Sequence, residues 1–226
     1  HLCDRRQRQM CIRDRWDKYP VEQVATPEGY ARNPELVINF YNERRKQLLD
    51  VVPNAGHLGV ADLERDFNVT VVTQNVDNLH ERAGSTHVIH LHGELTKVCS
   101  SRDPYNPHFV KELAPEEYEV KLGDKAGDGT QLRPFIVWFG ESVPEIETAI
   151  RYVEKADIFV IIGTSLNVYP AAGLLNYVPR AAEVYLIDPK PVDTHVMRPI
   201  HVIQKGASEG VKELKALLAA TQPPLL

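Results

Sequence analysis

The chain has 226 residues, of which 43% are hydrophobic and 25% are charged, and its formal net charge is −5. This length allows one sizeable core, or a large domain with a smaller insert. The acidic balance gives no general electrostatic attraction to nucleic acid or to an anionic membrane. The longest apolar runs, such as IFVII at 158–162, are too short to span a bilayer. Three cysteines without disulfide spacing, and no signal-peptide core, favour a cytoplasmic location. We also expect a monomer.

The first fifteen residues, HLCDRRQRQMCIRDR, differ from the rest of the chain. They lack a starting Met, contain five arginines and two of the three cysteines, and show no apolar periodicity. A disordered basic arm is one interpretation. We favour foreign sequence joined to a truncated gene, which a genomic read encoding the same fifteen residues in frame would contradict.

Cap signals predict the first two helices. Asn33 is a capping residue, followed by Pro34 at the first helical position and an acid in the first turn. Apolar residues then recur at helical spacing up to Leu49. Asn54 is predicted to cap a second helix, whose apolar residues are Leu58, Val60 and Leu63. Further helices are predicted at 77–84, with Gly84 as its C-terminal cap, and at 144–156, 171–177 and 208–219.

Apolar, β-branched runs alternate with these helices and predict strands at 68–75, 88–93, 133–140, 157–165, 183–189 and 201–206. This alternation predicts an α/β fold with a Rossmann-like parallel sheet covered by helices on both faces. Residues 94–133 show little apolar periodicity, which is typical of a long loop or a smaller inserted domain. Ligands of such sheets bind at the carboxyl ends of the strands. The polar sequences TQNVD, HGE, WFGE, GTS and IDP stand at those ends.

One of these ends, HVIHLHGELTKVCS at 87–100, contains His87, His90, His92 and Cys99. Histidines at this spacing near a cysteine are compatible with a metal site, with a catalytic base or with ordinary packing. The residues alone leave these three alternatives open.

TQNVDNLHERAG followed by HLHGEL resembles the sirtuins, the NAD-dependent protein-lysine deacylases. ATPEGYARNPELV, VWFGE, GTSLNVYPAAG and LIDPKPV extend the resemblance from Trp16 to the C-terminus. It implies NAD as cofactor, acylated lysines of proteins as partners, and nicotinamide and O-acyl-ADP-ribose as products. It also implies a catalytic domain over 16–226, with a large part at about 66–93 and 134–226 and a small part at about 16–65 and 94–133.

The resemblance makes His92 the catalytic base. In the implied reaction the acyl oxygen attacks the nicotinamide ribose, nicotinamide leaves, and a base then activates a ribose hydroxyl. An imidazole titrates near neutral pH and suits that proton transfer. His87 and His90 have no such support, and we interpret both as structural.

Eleven residues match cofactor-binding positions of the family. Asn75 and Asp77 resemble the pair that holds the nicotinamide carboxamide and ribose, and an acid at Asp188 suits ribose hydroxyls and favours NAD over NADP. The full set is Trp16, Gln74, Asn75, Val76, Asp77, Gly163, Thr164, Ser165, Asp188, Lys190 and Ala207.

Two groups of residues match substrate-binding positions. Tyr41 and Arg44 lie three apart on a predicted helix and resemble the pair with which class III sirtuins select succinyl and malonyl groups over acetyl. A guanidinium can bind a distal carboxylate through two hydrogen bonds. The remaining residues resemble the two strands that clamp a substrate peptide by β-addition: Val137, Phe139, Gly140, Glu141, Val168 and Tyr169.

The sequence departs from the family pattern in two places. Residues 94–133 contain a single cysteine, Cys99, whereas the family's zinc site has four. We therefore expect no metal site. The family's first strand and glycine-rich NAD loop are missing before Trp16. We therefore expect the printed chain to bind NAD poorly and to be nearly or wholly inactive, and the parent gene product to be active.

Two other functions stay open at this stage. An NAD glycohydrolase or ADP-ribosyltransferase could use the same scaffold, although neither reaction needs an acyl pocket. A non-catalytic acyl-lysine binding module is the other alternative. A dehydrogenase is disfavoured because the chain has no G-x-G-x-x-G sequence.

Overall fold

A computed structural model describes residues 19–163, 171–191 and 198–221. The first fifteen residues lie outside these ranges, as do five predicted site residues: Trp16, Thr164, Ser165, Val168 and Tyr169. Over the described residues, no helix combines the length and apolar character that crossing a bilayer requires.

Seven α-helices are present in the described part of the chain. They are α1 (Val21–Val24), α2 (Pro27–Arg32), α3 (Pro34–Leu49), α4 (Ala55–Asp62), α5 (Leu79–Ala83), α6 (Ile146–Val153) and α7 (Ala207–Thr221). Short 3-10 helices occupy Leu63–Arg65, Pro107–Phe109, Pro115–Glu117 and Ala171–Tyr177.

The predicted helix caps are confirmed. The Asn33 side chain accepts a hydrogen bond from the backbone N–H of Leu36 at 3.1 Å, at the start of α3. The Asn54 side chain accepts from the backbone N–H of His57 at 3.2 Å, and His57 Nδ1 accepts from the backbone N–H of Asn54 at 3.3 Å. These bonds satisfy backbone donors that the first turn of a helix leaves without partners.

Eight strands are present among the described residues. They are β1 (Val71–Thr73), β2 (Val88–His90), β3 (Gly93–Ser100), β4 (Lys111–Glu112), β5 (Leu132–Ile136), β6 (Ile158–Ile162), β7 (Glu183–Ile187) and β8 (His201–Ile203). Strands β1 and β2 pair in parallel, and β6, β7 and β8 form a parallel sheet in that order. These parallel sheets with their helices confirm the predicted Rossmann-like α/β class.

The third sheet corrects two predictions. Residues 94–133 were predicted to be irregular, yet β3 covers 93–100 and β4 lies beyond it. Strand β5, predicted to join a parallel sheet, pairs antiparallel with β3. The reason is that the intervening segment returns the chain alongside β3, and such non-local pairing leaves no periodic signal in a short segment.

Smaller differences concern element bounds and burial. The helix predicted from Pro144 begins at Ile146, and the helix predicted near 171–177 is a 3-10 helix. Val60 and Leu63 are buried as expected, whereas Leu58 is 52% exposed. Propensity locates such elements better than it fixes their ends.

Backbone contacts divide the described residues into two units. Within the described ranges, the first unit contains 19–51, Asn75–Asn78 and His92–Val143, and the second contains Val52–Gln74, Leu79–Leu91 and the described residues of 144–221. The predicted division, with a small part at about 16–65 and 94–133 and a large part at about 66–93 and 134–226, stays a prediction.

An apolar cluster packs the sheet of the second unit against two of its helices. Val60 and Leu63 from the α4 region, with Val211, Leu214 and Leu218 of α7, pack against the sheet residues Tyr185, Ile187 and Ile203. Full burial of each such side chain contributes about 1.5–3 kcal/mol relative to exposure. This packing fixes β7 and β8, and therefore the positions at which those strands end.

The first unit holds its insert to α3 through a buried polar network. The Asn42 side chain donates to the Val120 carbonyl at 2.7 Å and accepts from the Val120 N–H at 3.0 Å. The guanidinium of Arg45 donates to the Tyr118 carbonyl at 2.7 Å and to Asn42 at 2.5 Å. Residues 118–120 are thereby fixed against α3, the helix that carries Tyr41 and Arg44.

Candidate active site

Gly163 and Asp188 lie together at one edge of the parallel sheet in the second unit. The last residues of β6 and β7, Ile162 and Ile187, are register partners. The N–H of Gly163 donates to the Ile187 carbonyl at 2.9 Å, and the N–H of Asp188 donates to the Ile203 carbonyl at 3.3 Å. The register therefore brings two of the predicted cofactor residues to adjacent strand ends, where α/β sheets bind ligands.

The chemistry of this edge fits the ribose of a dinucleotide. Gly163 has φ +63°, and an added Cβ would meet nothing within 4 Å, so the backbone is open to close approach. Asp188 is half-buried, and its Oδ1 accepts the N–H of Lys190 at 2.8 Å. A carboxylate has further lone pairs for hydroxyl donors. Of the other predicted cofactor residues in this unit, Gln74 follows β1 and Ala207 begins α7.

His92 and the predicted nicotinamide-binding residues lie in the first unit. His92 is half-buried and directly precedes β3. Its carbonyl accepts the N–H of Val137 at 2.9 Å. The carbonyl of Val76, between Asn75 and Asp77, accepts the N–H of Leu95 at 2.7 Å. Both segments are thus tied by backbone hydrogen bonds to β3 or to the residues that follow β5.

Gly93 fixes the backbone next to His92. It has φ +81°, and a Cβ there would lie 2.2 Å from the Phe135 carbonyl oxygen. Gly93→Ala should therefore lower the free energy of unfolding by more than about 3 kcal/mol, because backbone strain adds to a clash with rigid backbone. Chemical denaturation measures this effect.

Gly129 provides the matched control, since it has φ +78° and nothing within 4 Å of an added Cβ. Gly129→Ala should cost only the strain of the left-handed conformation, about 1–2 kcal/mol. Equal losses in the two variants would contradict the steric argument at Gly93.

The segment Val137–Glu141 follows β5 and contains the predicted peptide clamp. The N–H of Phe139 donates to the Ala25 carbonyl at 2.9 Å, and the Phe139 residue is 63% exposed. Val137 is half-buried and Gly140 is exposed. The N–H of Val137 is also bonded within the chain, to the His92 carbonyl, so the role of this segment as a peptide clamp by strand addition stays a prediction.

Glu141 differs from its neighbours because its carboxylate faces inward. Arg133 Nη1 donates to Glu141 Oε1 at 2.7 Å and Nη2 donates to Oε2 at 3.0 Å, forming a bidentate pair. Oε2 also accepts the backbone N–H of Trp138 at 2.8 Å and the Tyr105 hydroxyl at 3.3 Å. The side chain thus holds the turn, and the assignment of Glu141 to peptide binding stays a prediction.

The Arg133–Glu141 pair predicts a pH-dependent stability. Burial alone would raise the pKa of Glu141, but the bonds from Arg133 outweigh it and hold that pKa below its usual value. A carboxyl with a depressed folded-state pKa stabilises the fold above its unfolded pKa, about 4.3, and loses that contribution as the pH falls through the folded value. Glu141→Gln should therefore lower stability by about 2 kcal/mol at pH 7 and flatten its decline below pH about 4.5.

Denaturation at a series of pH values measures both effects. Glu117→Gln is the control, because the Lys111–Glu117 pair is 4.0 Å apart and both side chains are exposed. A Glu141→Gln variant as stable as the Glu117→Gln variant at pH 7 would contradict the role of the buried pair.

Tyr41 and Arg44 occupy one side of α3, as predicted. Tyr41 is 4% exposed, and its hydroxyl oxygen accepts from Trp138 Nε1 at 3.1 Å. Arg44 is half-buried, and its guanidinium carbon lies 3.6 Å from the centroid of the Phe40 ring. Burial raises the pKa of Tyr41 to about 12, against the opposing effect of the Trp138 hydrogen bond and the Arg44 charge. The neutral phenol of Tyr41 and the cationic guanidinium of Arg44 are therefore three residues apart on α3.

Comparison with known proteins decides the family. The chain matches the Sir2 family over residues 11–170. It is 84% identical over 203 residues to an NAD-dependent protein deacylase of Bacteroides thetaiotaomicron, with 90% of this chain and 87% of that protein covered. The chain belongs to the Sir2 family. A Helicobacter pylori protein of the same name is 45% identical over 199 residues, covering 88% of this sirtuin and 84% of that protein.

Solved sirtuin structures share the fold. A Sir2 homologue in complex with NAD has a TM-score of 0.77 and 35% identity, covering 92% of this chain and 81% of that one. A Sir2 complex with a p53 peptide and NAD+ has a TM-score of 0.69 and 26% identity, covering 86% and 82%. The resemblance in the sequence is thereby confirmed at the level of family and fold.

The two other histidines of the 87–100 segment have structural contacts in this sirtuin. His90 is 9% exposed, and its Nε2 lies 2.7 Å from Glu81 Oε1. His87 Nδ1 lies 3.0 Å from the Thr70 hydroxyl, and the His87 ring is 4.7 Å from that of Tyr152. Both contacts agree with the interpretation of these residues as structural.

The surroundings of Cys99 do not fit a zinc site. Cys99 is fully buried, its thiol contacts the Pro134 carbonyl at 3.8 Å, and burial raises its pKa to about 12. Zinc binds the thiolate form and needs four ligands in structural sites. Over the described ranges, no three His, Cys, Asp or Glu side chains are grouped as metal ligands. The expected zinc-less insert stays a prediction.

Sequence reasoning missed the residues that support Tyr41. Trp138 lies inside the VWFGE sequence, but only its neighbours were singled out. Arg133 is 3% exposed, and its guanidinium lies 3.5 Å from the centroid of the Trp138 ring. The one available signal was an arginine at the start of the apolar sequence RPFIVW, because a buried charge needs a partner.

Proposed function

We propose that the chain is an NAD-dependent protein-lysine deacylase that prefers acyl groups ending in a carboxylate. Membership of the Sir2 family and the deacylase relatives support the activity itself. NAD is the cofactor and acylated lysine side chains of proteins are the substrate. The preference for succinyl and malonyl over acetyl is the finer part of the proposal.

The catalytic part is assigned to His92. When bound, NAD supplies the activated ribose carbon that receives the acyl oxygen. The imidazole of His92 accepts a proton from a ribose hydroxyl, and the backbone bond from Val137 to His92, which ties His92 to the predicted peptide clamp, supports this role. Asn75 and Asp77 orient the nicotinamide end, and Asp188 accepts from a ribose hydroxyl.

The pairing of Tyr41 with Arg44 carries the acyl preference. The Tyr41 phenol holds its proton, because burial raises its pKa to about 12, and can donate to a carboxylate. The guanidinium of Arg44, one turn further along α3, can add two charge-assisted hydrogen bonds. An acetyl group has no acceptor at that distance from the lysine and would gain neither contact.

Nicotinamide release by the full-length gene product tests the activity. We expect release from NAD to require an acyl-lysine peptide and to match deacylated peptide one to one. Release of equal rate without any peptide would favour an NAD glycohydrolase and contradict the proposal.

A further inference from the structure

Trp138 joins the Tyr41 hydroxyl to the substrate-facing segment after β5. Its side chain lies in the interior, since the residue is 2% exposed between the half-buried Val137 and the exposed Phe139. Its indole Nε1 donates to the Tyr41 hydroxyl oxygen at 3.1 Å, across 97 positions of sequence. A buried indole N–H usually has a hydrogen-bond partner, and here the partner is the Tyr41 side chain.

The hydrogen bond fixes the direction in which the phenol can donate. An indole N–H is a donor only, so the Tyr41 oxygen must be the acceptor and its own hydrogen points elsewhere. Among the described residues, the Tyr41 hydroxyl donates to no side chain or carbonyl. The hydroxyl thus retains its own hydrogen for donation, and the charge of Arg44 acts on the same group.

The ring of Trp138 is held by a contact on its face, and the backbone of the residue is held by a hydrogen bond. The guanidinium carbon of Arg133 lies 3.5 Å from the ring centroid, and Arg133 is in turn bound at both nitrogens by Glu141. Glu141 also accepts the backbone N–H of Trp138 at 2.8 Å. Stacked guanidinium and bidentate carboxylate leave little freedom for the ring to turn away from Tyr41.

We propose that Trp138 is a positioning residue for acyl-group selection, which holds the Tyr41 hydroxyl as a donor toward a carboxylate on the acyl group. The inference rests on the proposed preference for acidic acyl groups. A purely structural tryptophan would instead affect all substrates alike, because loss of packing does not distinguish a succinyl from an acetyl group.

Trp138→Phe in the full-length protein tests the inference, because it removes the N–H while keeping an aromatic ring. We expect the KM for a succinyl-lysine peptide to rise about 10-fold more than the KM for the matched acetyl-lysine peptide, with kcat for the succinyl peptide changing less than KM. A variant with benzothienylalanine at position 138 keeps the bicyclic shape without the N–H, and should show the same split even if Trp138→Phe does not fold.

A double-mutant cycle with Tyr41→Phe separates positioning from packing. If Trp138 acts through the Tyr41 hydroxyl, the benzothienylalanine substitution should have no selective effect in the Tyr41→Phe background. Equal changes in KM on both peptides in the position-138 variant would overturn the role of Trp138. So would selective effects of the position-138 and Tyr41→Phe substitutions that add in the double variant. Either result is compatible with a Tyr41→Phe variant that is itself selective. A Tyr41→Phe variant that is itself unselective would overturn the acyl preference, and the Trp138 inference with it.

Discussion

His92→Asn is expected to lower kcat for deacylation by about 10²- to 10⁴-fold, the range typical for removal of a general base. Asparagine keeps a polar side chain of similar reach but cannot take up a proton near neutral pH. The backbone should be unaffected, because the His92 carbonyl accepts from Val137 whatever the side chain is. Steady-state kinetics on succinyl- and acetyl-lysine peptides measure the loss, which should be similar for both.

His87→Asn is the matched control on the same segment. Its ring contacts Thr70 and Tyr152, and it has no predicted part in the reaction. We expect kcat to change by less than about 3-fold, since the loss of such a partly buried contact acts on stability. Comparable losses at His87 and His92 would contradict the assignment of His92 as the base.

Arg44→Met is expected to lower kcat/KM for a succinyl-lysine peptide about 100-fold more than for an acetyl-lysine peptide. Two charge-assisted hydrogen bonds to a carboxylate account for a difference of this size, about 3 kcal/mol. Methionine preserves much of the apolar stem of Arg44 but removes the guanidinium, which stacks on the Phe40 ring. Parallel kinetics with the two peptides give the ratio.

Lys46→Met provides the matched control, because Lys46 is an exposed cation on the same helix. It should leave the ratio of succinyl to acetyl kcat/KM within about 2-fold of the unsubstituted protein, since exposed charges contribute little. Equal losses on both peptides in Arg44→Met would refute the carboxylate pocket.

Local signals were the predictable part of the fold. The caps at Asn33 and Asn54 predicted where α3 and α4 begin, because they act within one helical turn. The apolar runs at β6 and β7 predicted parallel strands, and the polar residues that follow them meet at one edge. These features depend on neighbours in sequence or on a strand buried on both faces.

The rest depended on contacts between distant residues. The sequence of β3, GELTKVCS, does not predict its antiparallel pairing with β5, since the partner strand sets the register. Likewise, the bond from Trp138 to Tyr41 joins residues 97 positions apart, and the burial of the Glu141 carboxylate follows from Arg133. The family motifs located these segments, but only the packing gave their side chains distinct roles.

Competition between two acyl groups tests the central claim most directly. The full-length protein would be given NAD and an equimolar mixture of succinyl- and acetyl-lysine peptides of one sequence, and the two product rates measured together. Their ratio equals the ratio of kcat/KM values and does not depend on the active fraction of the enzyme. We predict faster consumption of the succinyl peptide by at least about 10-fold, and none of either peptide without NAD. Faster consumption of the acetyl peptide, or turnover without NAD, would contradict the account.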